Sequence, residues 1–454
     1  MTDSEKNKSR LNIFLQNPER GLWTLAIPIM AGMGVHTLYT IVDMLFIGRL
    51  GGESIAAVAY NMPLFFFVMG LTFGLGSGVT ASIARFIGAN DKVNADNSAE
   101  HAIAMAAIIS IILTVVGLNY GKSILSFLGA RDSILLLSWD YLRYACYGLP
   151  CMVFSGFFRS ILSGEGDMKL PMLITAFGTV LNIILDPIFI FALDFGVKGA
   201  AIATMICQIV VFLIFVYMLF VKEHSYIKFK MKDFSYSNSI VSEIIKVGLP
   251  ASISMIIMSF GQLVFNKILT GFSVEAVAAY QIGGRIDMVV FLPIMSIAAS
   301  LTTIVGMFYG AEEWTKMKLI IKYGISRSVL ITLVGSAMLI TFAPWIVQSF
   351  SSDPIIQEVA VYYLQCISLI YPLVAVGMTI GRILQGMGKG LPLLIITSIR
   401  ILVVSAPLAI IFTIVLDKPV EYVWYAMMIS TVVATMVAVL WLQRTLKNNP
   451  LGFN

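Results

Sequence analysis

The chain has 454 residues, 58% of them hydrophobic and only 12% charged, with a net charge of +5. Soluble domains carry about 25% charged residues, so this set is too sparse to cover a water-facing surface, and a disordered chain would be far more polar. Four cysteines cannot make a disulfide scaffold and no basic block is dense enough for nucleic acid, which leaves a polytopic membrane protein with room for about twelve spans of roughly 20 residues.

Residues 1–21 form a polar, cytoplasmic N-terminal segment with Lys6, Lys8, Arg10 and Arg20. The apolar stretch behind it is too long for a secretory signal, and no small-residue cleavage site follows. Hydropathy then predicts helices 1 to 6 over 23–47, 54–83, 98–118, 134–158, 170–193 and 198–221, an N-lobe spanning 22–221. A polar, Lys-rich cytoplasmic linker covers 222–243. Helices 7 to 12 follow over 244–269, 276–306, 316–341, 355–381, 391–415 and 420–443, a C-lobe spanning 244–445, with a tail at 446–454. The segments are continuous apolar runs, not ten-residue alternating ones, which argues against an outer-membrane barrel.

Basic residues set the orientation. With twelve spans and the N-terminus inside, 21 of the 30 Lys and Arg fall in inside segments, Arg159 and Arg382 among them. Five fall outside, and Arg143, Lys267, Arg285 and Arg400 fall within spans. The sorting puts both termini in the cytoplasm.

The two halves repeat at a constant shift of 222 residues. Thr80 meets Thr302, Phe86-x-Gly88-Ala89 meets Phe308-x-Gly310-Ala311, and Tyr141 and Pro150 meet Tyr363 and Pro372. Ile161-Leu162-x-Gly164-x-Gly166 meets Ile383-Leu384-x-Gly386-x-Gly388. Six helices per half is even, so both halves enter the membrane from the same side. The expected fold is all-α, two six-helix bundles related by a pseudo-twofold axis along the membrane normal, with a cavity between them.

Charge inside a span is costly and needs a reason. Three acids lie well inside spans: Asp43, Asp186 and Asp287. On helix 1, His36, Tyr39, Thr40 and Asp43 fall on one polar stripe at helical spacing, and Pro28 removes a backbone hydrogen bond and marks a kink. On helix 5, Asn182 shares a face with Asp186, which precedes Pro187, and helix 6 carries Thr204 and Gln208 four apart. Two carboxylates, an amide and a hydroxyl can hold Na⁺ through oxygen, or hold protons. At the 222 shift Asp43 falls on Phe265 and Asp186 on Leu408, so neither acid recurs. Asp287 lies near Arg285, and an ion pair or an interfacial position is its plainest role. Gly70, Gly74, Gly76 and Gly78 permit close helix contact on helix 2, with no P-loop lysine following. Gly164-Glu165-Gly166-Asp167 fits the GxGD pattern of intramembrane aspartyl proteases, but Asp167 falls in a loop and its repeat partner is Lys389, so a turn is expected and no enzyme. Cysteines and histidines lack metal-ligand spacing.

The twelve-helix repeat, Pro28 and Asp43 in helix 1, Leu181-Asn182-Ile183-Ile184-Leu185-Asp186-Pro187, Gly199-Ala200-Ala201-Ile202-Ala203-Thr204 and Phe308-Tyr309-Gly310-Ala311 resemble the MATE family of multidrug and toxic compound extrusion transporters over about residues 15–445. The resemblance implies antiport in the cell membrane: inward Na⁺ or H⁺ drives efflux of varied, often cationic and amphipathic drugs or toxic compounds, with no other cofactor. Within the family the N-lobe aspartates resemble the DinF-like and archaeal-type branch. There the coupling ion or proton sits near residues matching Asp43, Asn182, Asp186 and Thr204, which would also be the metal ligands if Na⁺ is the ion. The hinge corresponds to Pro28, and His36, Tyr39, Thr40 and Gln208 are expected to line the substrate cavity. A second cation site in the C-lobe would have only Gln262, Asn266 and Asp287 to offer. A lipid-linked oligosaccharide flippase of the broader superfamily is the rival, and would need Arg143, Lys267, Arg285 or Arg400 in the cavity. The expected partners are small molecules and the lipid bilayer, and the expected state is a monomer.

Overall fold

The computed structural model describes residues 10–229 and 234–447, with the side chains of Tyr39 and Ile41 excepted. It is 88% helical with no strand among the described residues. Lys6, Lys8, Lys230, Lys232 and residues 448–454 of the tail lie outside that description.

A short helix, Leu11–Gln16, precedes the spans, and helix 1 then runs Pro18–Gly48, capped by Asn17 whose side chain accepts from the Arg20 amide. Helices 2 to 6 are Gly52–Gly88, Lys92–Phe127, Asp132–Gly164, Lys169–Pro187 continuing to Ala192, and Gly196–Val216 continuing to Val221. Helices 7, 8 and 9 are Asn238–Thr270, Val274–Gly310 and Trp314–Gln348, and helices 11 and 12 are Leu391–Val415 and Glu421–Lys447. Among the described residues, eleven helices are long and apolar enough to cross a membrane. The twelfth span, helix 10, is the pair Pro354–Ser368 and Tyr371–Gly386, which meet at 55°.

These helices outrun the expected spans. Helix 2 was expected over 54–83 and ends at Gly88, and helix 7 starts at Asn238, inside the expected linker. Hydropathy marks where lipid-compatible residues stop, whereas the backbone hydrogen-bond ladder continues until a cap or a glycine ends it.

The repeat is geometric. Helix 2 and helix 8 have the same bounds at the 222 shift, and so do helix 4 and the two pieces of helix 10. Thr80 Oγ1 donates to the Ser160 carbonyl at 2.9 Å, and its counterpart Thr302 donates to the Arg382 carbonyl at 3.2 Å. Helix 4 runs unbroken through Pro150, but at the matching Pro372 the chain bends. Both GxG turns place their second glycine at positive φ, +84° for Gly166 and +81° for Gly388, a conformation glycine adopts without steric cost.

The lobes meet along helices 2, 7 and 8. A Cβ at Gly74 would collide with the Ser252 backbone, and one at Gly78 with the Ile244 carbonyl, so helices 2 and 7 touch backbone to backbone. Farther along, a Cβ at Gly88 would strike Met307 and one at Gly310 would strike Arg85, a reciprocal crossing of helices 2 and 8. The seam is stitched by the Arg85–Glu243 ion pair, by Trp23 Nε1 donating to Tyr323 OH at 3.1 Å, and by Thr303 Oγ1 donating to the Ser163 carbonyl at 2.9 Å. Helix 2 is buried on all sides over residues 74–84, but over 52–67 burial falls back to one face. Helix 8 behaves alike, nearly all buried over 296–308 and patchy before it. The lobes are therefore sealed at the end carrying the N-terminal segment and the linker, and part toward the other.

That sealed end also carries a polar junction. Asp167 accepts from Arg10 Nη2 at 2.8 Å and faces His224 Nε2 at 2.9 Å, and its other oxygen caps the Lys169 and Leu170 amides. Glu165 accepts from Ser225 Oγ at 2.7 Å and from the Tyr226 and Ile227 amides. Burial pushes Asp167 up, but the His224 and Arg10 partners outweigh it and hold the carboxyl well below the usual carboxylate range. Burial raises Glu165 to about 7, and the hydrogen bond to Asp167 raises His224. The expected turn at Asp167 is thus the post that ties the linker to the N-lobe.

Candidate functional site

Helices 1 and 5 pack together with Gly32 against Met172, which brings Asp43 and Asp186 face to face. The two carboxyls lie within hydrogen-bonding reach of each other. Asp186 is 0% exposed; its Oδ1 accepts from Asn182 Nδ2 at 2.9 Å, and its Oδ2 is buried with no donor among the described residues. Tyr141 and Cys207 close the surroundings. Directly after Asp186, Pro187 cannot continue the ladder, and Ile188–Ala192 forms a π-helical turn against which Gly199 of helix 6 packs without room for a Cβ.

The other expected residues divide. Thr204 is half-buried on helix 6, which packs on helix 5. Gln208 lies against Gly148 with Oε1 buried and unpartnered among the described residues, and lines a small apolar N-lobe pocket with Leu64, Phe65, Leu142 and Cys146. Thr40 is exposed and returns its hydroxyl to the His36 carbonyl at 3.0 Å. His36 is exposed by area and lies within electrostatic reach of Arg159. The Tyr39 side chain lies outside the described ones. Helix 1 stays one helix on both sides of Pro28.

The donor set of the aspartate pair is all oxygen except for Asn182, whose amide nitrogen points at Asp186. A proton shared between the two carboxyls fits this arrangement directly. A sodium ion would take the unpartnered Asp186 Oδ2 together with Asp43, and the Asn182 amide would add a further oxygen if turned inward. No group of three His, Cys, Asp or Glu among the described residues could hold a metal ion.

Two expectations are corrected. Asp287 does not pair with Arg285, which is exposed; it accepts from Tyr363 OH at 2.8 Å and from Tyr371 OH. Asp287 and Tyr363 occupy the places that Phe65 and Tyr141 hold in the other half, where the two rings meet edge to face at 5.9 Å. Gln262 is exposed, and Asn266 accepts from Gln281 at 3.0 Å, so the three C-lobe candidates do not converge through any contact seen here. Arg159, expected in an inside segment, sits within helix 4, five residues before its end, because that helix continues to Gly164. Its sequence neighbours Phe157, Phe158, Ile161 and Leu162 carried the signal: a charge among large apolar residues. Of the basic residues a flippase would need, Arg143 bonds Asp140 at 3.2 Å, Lys267 and Arg285 are exposed, and Arg400 lies near Tyr280 in the C-lobe.

Two repeated six-helix bundles around a seam sealed at one end, with a buried and a half-buried carboxyl paired inside one bundle, define a polytopic membrane transporter. The MatE family profile matches residues 28–188 and 250–411, one match per half, and the chain belongs to that family. It is 28% identical over 391 residues, 85% of this chain and 84% of the relative, to the probable multidrug resistance protein NorM of Thermotoga maritima. It is 25% identical over 394 residues, 86% of this chain and 87% of the relative, to the FAD transporter of Shewanella oneidensis. Among solved structures, the outward-facing conformation of a multidrug resistance MATE family transporter superposes with a TM-score of 0.90 at 35% identity, covering 95% of this chain and 96% of that one.

Proposed function

We propose that this protein is a multidrug efflux antiporter of the cell membrane, with both termini cytoplasmic, that exchanges amphipathic small molecules for protons by alternating access. The observation that carries the coupling is the Asp43–Asp186 contact with its unpartnered buried oxygen. Two carboxyls this close in a low-dielectric site titrate as one unit and exchange a proton together. The sealed seam is then the cytoplasmic gate, and the parted ends of helices 2 and 8 give an outward-facing state. The likeness to the outward-facing relative supports this.

In that state the pair takes up a proton. The change alters the polar network that positions helix 1 against helix 5. Helix 1 bends at Pro28, the N-lobe cavity contracts, and the substrate leaves to the outside. Inward-facing, the proton departs to the cytoplasm and the ionised pair favours a new substrate with a positive group. His36, Tyr39, Thr40 and Gln208 serve the substrate, while Asn182 and Thr204 position and support the pair. One chain supplies a complete pathway, and a monomer suffices.

The test is ethidium efflux from proteoliposomes under separate pH and Na⁺ gradients. Efflux follows the pH gradient without Na⁺. Efflux that needs Na⁺ and ignores the pH gradient would move the coupling to the cation.

A further inference from the structure

The basic residues near the seam are mostly satisfied. Arg10 bonds Asp167, Arg85 pairs with Glu243, and Arg382 bonds Gln385 at 3.1 Å. Arg159 differs. It lies inside a span, half-buried, and among the described residues no carboxylate pairs with it and no acceptor takes its N–H groups. Its guanidinium sits over the Phe73 ring at 4.5 Å. That contact attracts the cation through the ring face but leaves five N–H donors pointing outward in the guanidinium plane.

The position is set by helix 2. Phe73 and Ala84 are eleven residues apart, so they lie within about 20° of each other around the helix and about 16 Å apart along it. Ala84 meets Gly306 of helix 8 in the sealed seam. Phe73 is therefore on the face that looks between the lobes, above the seal, and Arg159 lies over it. His36 joins them from helix 1, seven residues and about 10 Å below Asp43.

We propose that Arg159, over Phe73 and beside His36, is a subsite for an anionic group of the transported molecule, a carboxylate or a phosphate. This rests on the transport reading above and adds a substrate class to it: amphoteric or anionic amphipaths, with any cationic end toward Asp43 and Asp186 and the anionic end on Arg159. A guanidinium presents two parallel donors to such a group, which an ammonium cannot do. With the aspartate pair protonated, the Arg159 guanidinium keeps its charge over Phe73.

The test is equilibrium binding of two dyes, 5-carboxyfluorescein and ethidium, to the full-length protein in nanodiscs by fluorescence polarisation. Arg159→Gln weakens carboxyfluorescein binding at least tenfold and tightens ethidium binding severalfold. Arg159→Lys keeps carboxyfluorescein within about threefold of the starting chain and shows that the site stays folded. The proposal is overturned if the starting chain binds no carboxyfluorescein, if Arg159→Gln binds it unchanged, or if both variants lose both dyes alike. Arg159-dependent binding without efflux from proteoliposomes would keep the anion subsite and remove the transport reading.

Discussion

Gly88→Ala probes the gate with little chemistry. A Cβ at Gly88 would sit 2.8 Å from the Met307 carbonyl carbon and 3.0 Å from the Ala311 nitrogen, closer than real Cβ atoms pack against backbone. Neither atom is a flexible side-chain end, so relief requires helices 2 and 8 to move apart. Overpacking of this kind costs about 1–3 kcal/mol. The gain of roughly 1 kcal/mol in helix propensity from Gly to Ala acts in both states and cancels from their difference. The sealed form should therefore lose about 5- to 150-fold in population against a form with this end open. Gly310→Ala should do the same, because its Cβ would meet the Arg85 carbonyl carbon at 2.9 Å and the Ala89 nitrogen at 3.0 Å. Spin labels at Val93→Cys and Thr315→Cys read the result. These exposed positions match at the 222 shift and lie in the first turns of helices 3 and 9, and the four native cysteines are replaced. Both glycine variants move the distance distribution to longer values. An unchanged distribution in both, or a shift in one alone, would refute the reciprocal crossing.

Two further outcomes follow from the same end of the bundle. Glu243→Gln leaves Arg85 without its carboxylate; since the pair is 17% and 24% exposed, the loss should be about 1–3 kcal/mol, seen as a lower Tm and the same lengthening between labels. At the linker junction, His224 has a raised pKa, so its contribution is full below about 6.5 and fades as pH rises through the higher folded value. Glu165, raised to about 7, costs nothing while protonated and costs progressively more as pH climbs from about 4.5 to 7. Both signs agree: the protection factors of the Tyr226 and Ile227 amides, corrected for the base-catalysed intrinsic exchange rate, should fall between pH 6 and 8. His224→Gln should flatten that fall, and pH-independent protection factors in the starting chain would contradict the assignment. Asp167, depressed by its partners, gives way only in deep acid.

The fold was legible because its signals are coarse. Twelve apolar runs, the sorting of basic residues and one 222-residue shift carry the span count and the two halves. Even the backbone crossing at Gly88 and Gly310 lies on a repeated Gly-Ala pair. The aspartates stood out because a carboxyl in an apolar helix is expensive. What sequence spacing cannot give is contact between helices. The Asp43–Asp186 approach and the tyrosines that satisfy Asp287 depend on packing. Arg159 was misplaced for a different reason: hydropathy ended helix 4 at 158, one residue before it, while the hydrogen-bond ladder ran to Gly164.

The central claim is that Asp186, paired with Asp43, couples transport to protons. Ethidium efflux from proteoliposomes driven by an imposed pH gradient, with no Na⁺ present, tests it with the original chain beside Asp186→Asn. The amide keeps the volume and can still bond Asn182, so the protein should fold and elute unchanged. The account predicts efflux from the original chain and none above background from Asp186→Asn. Equal rates from the two would contradict it.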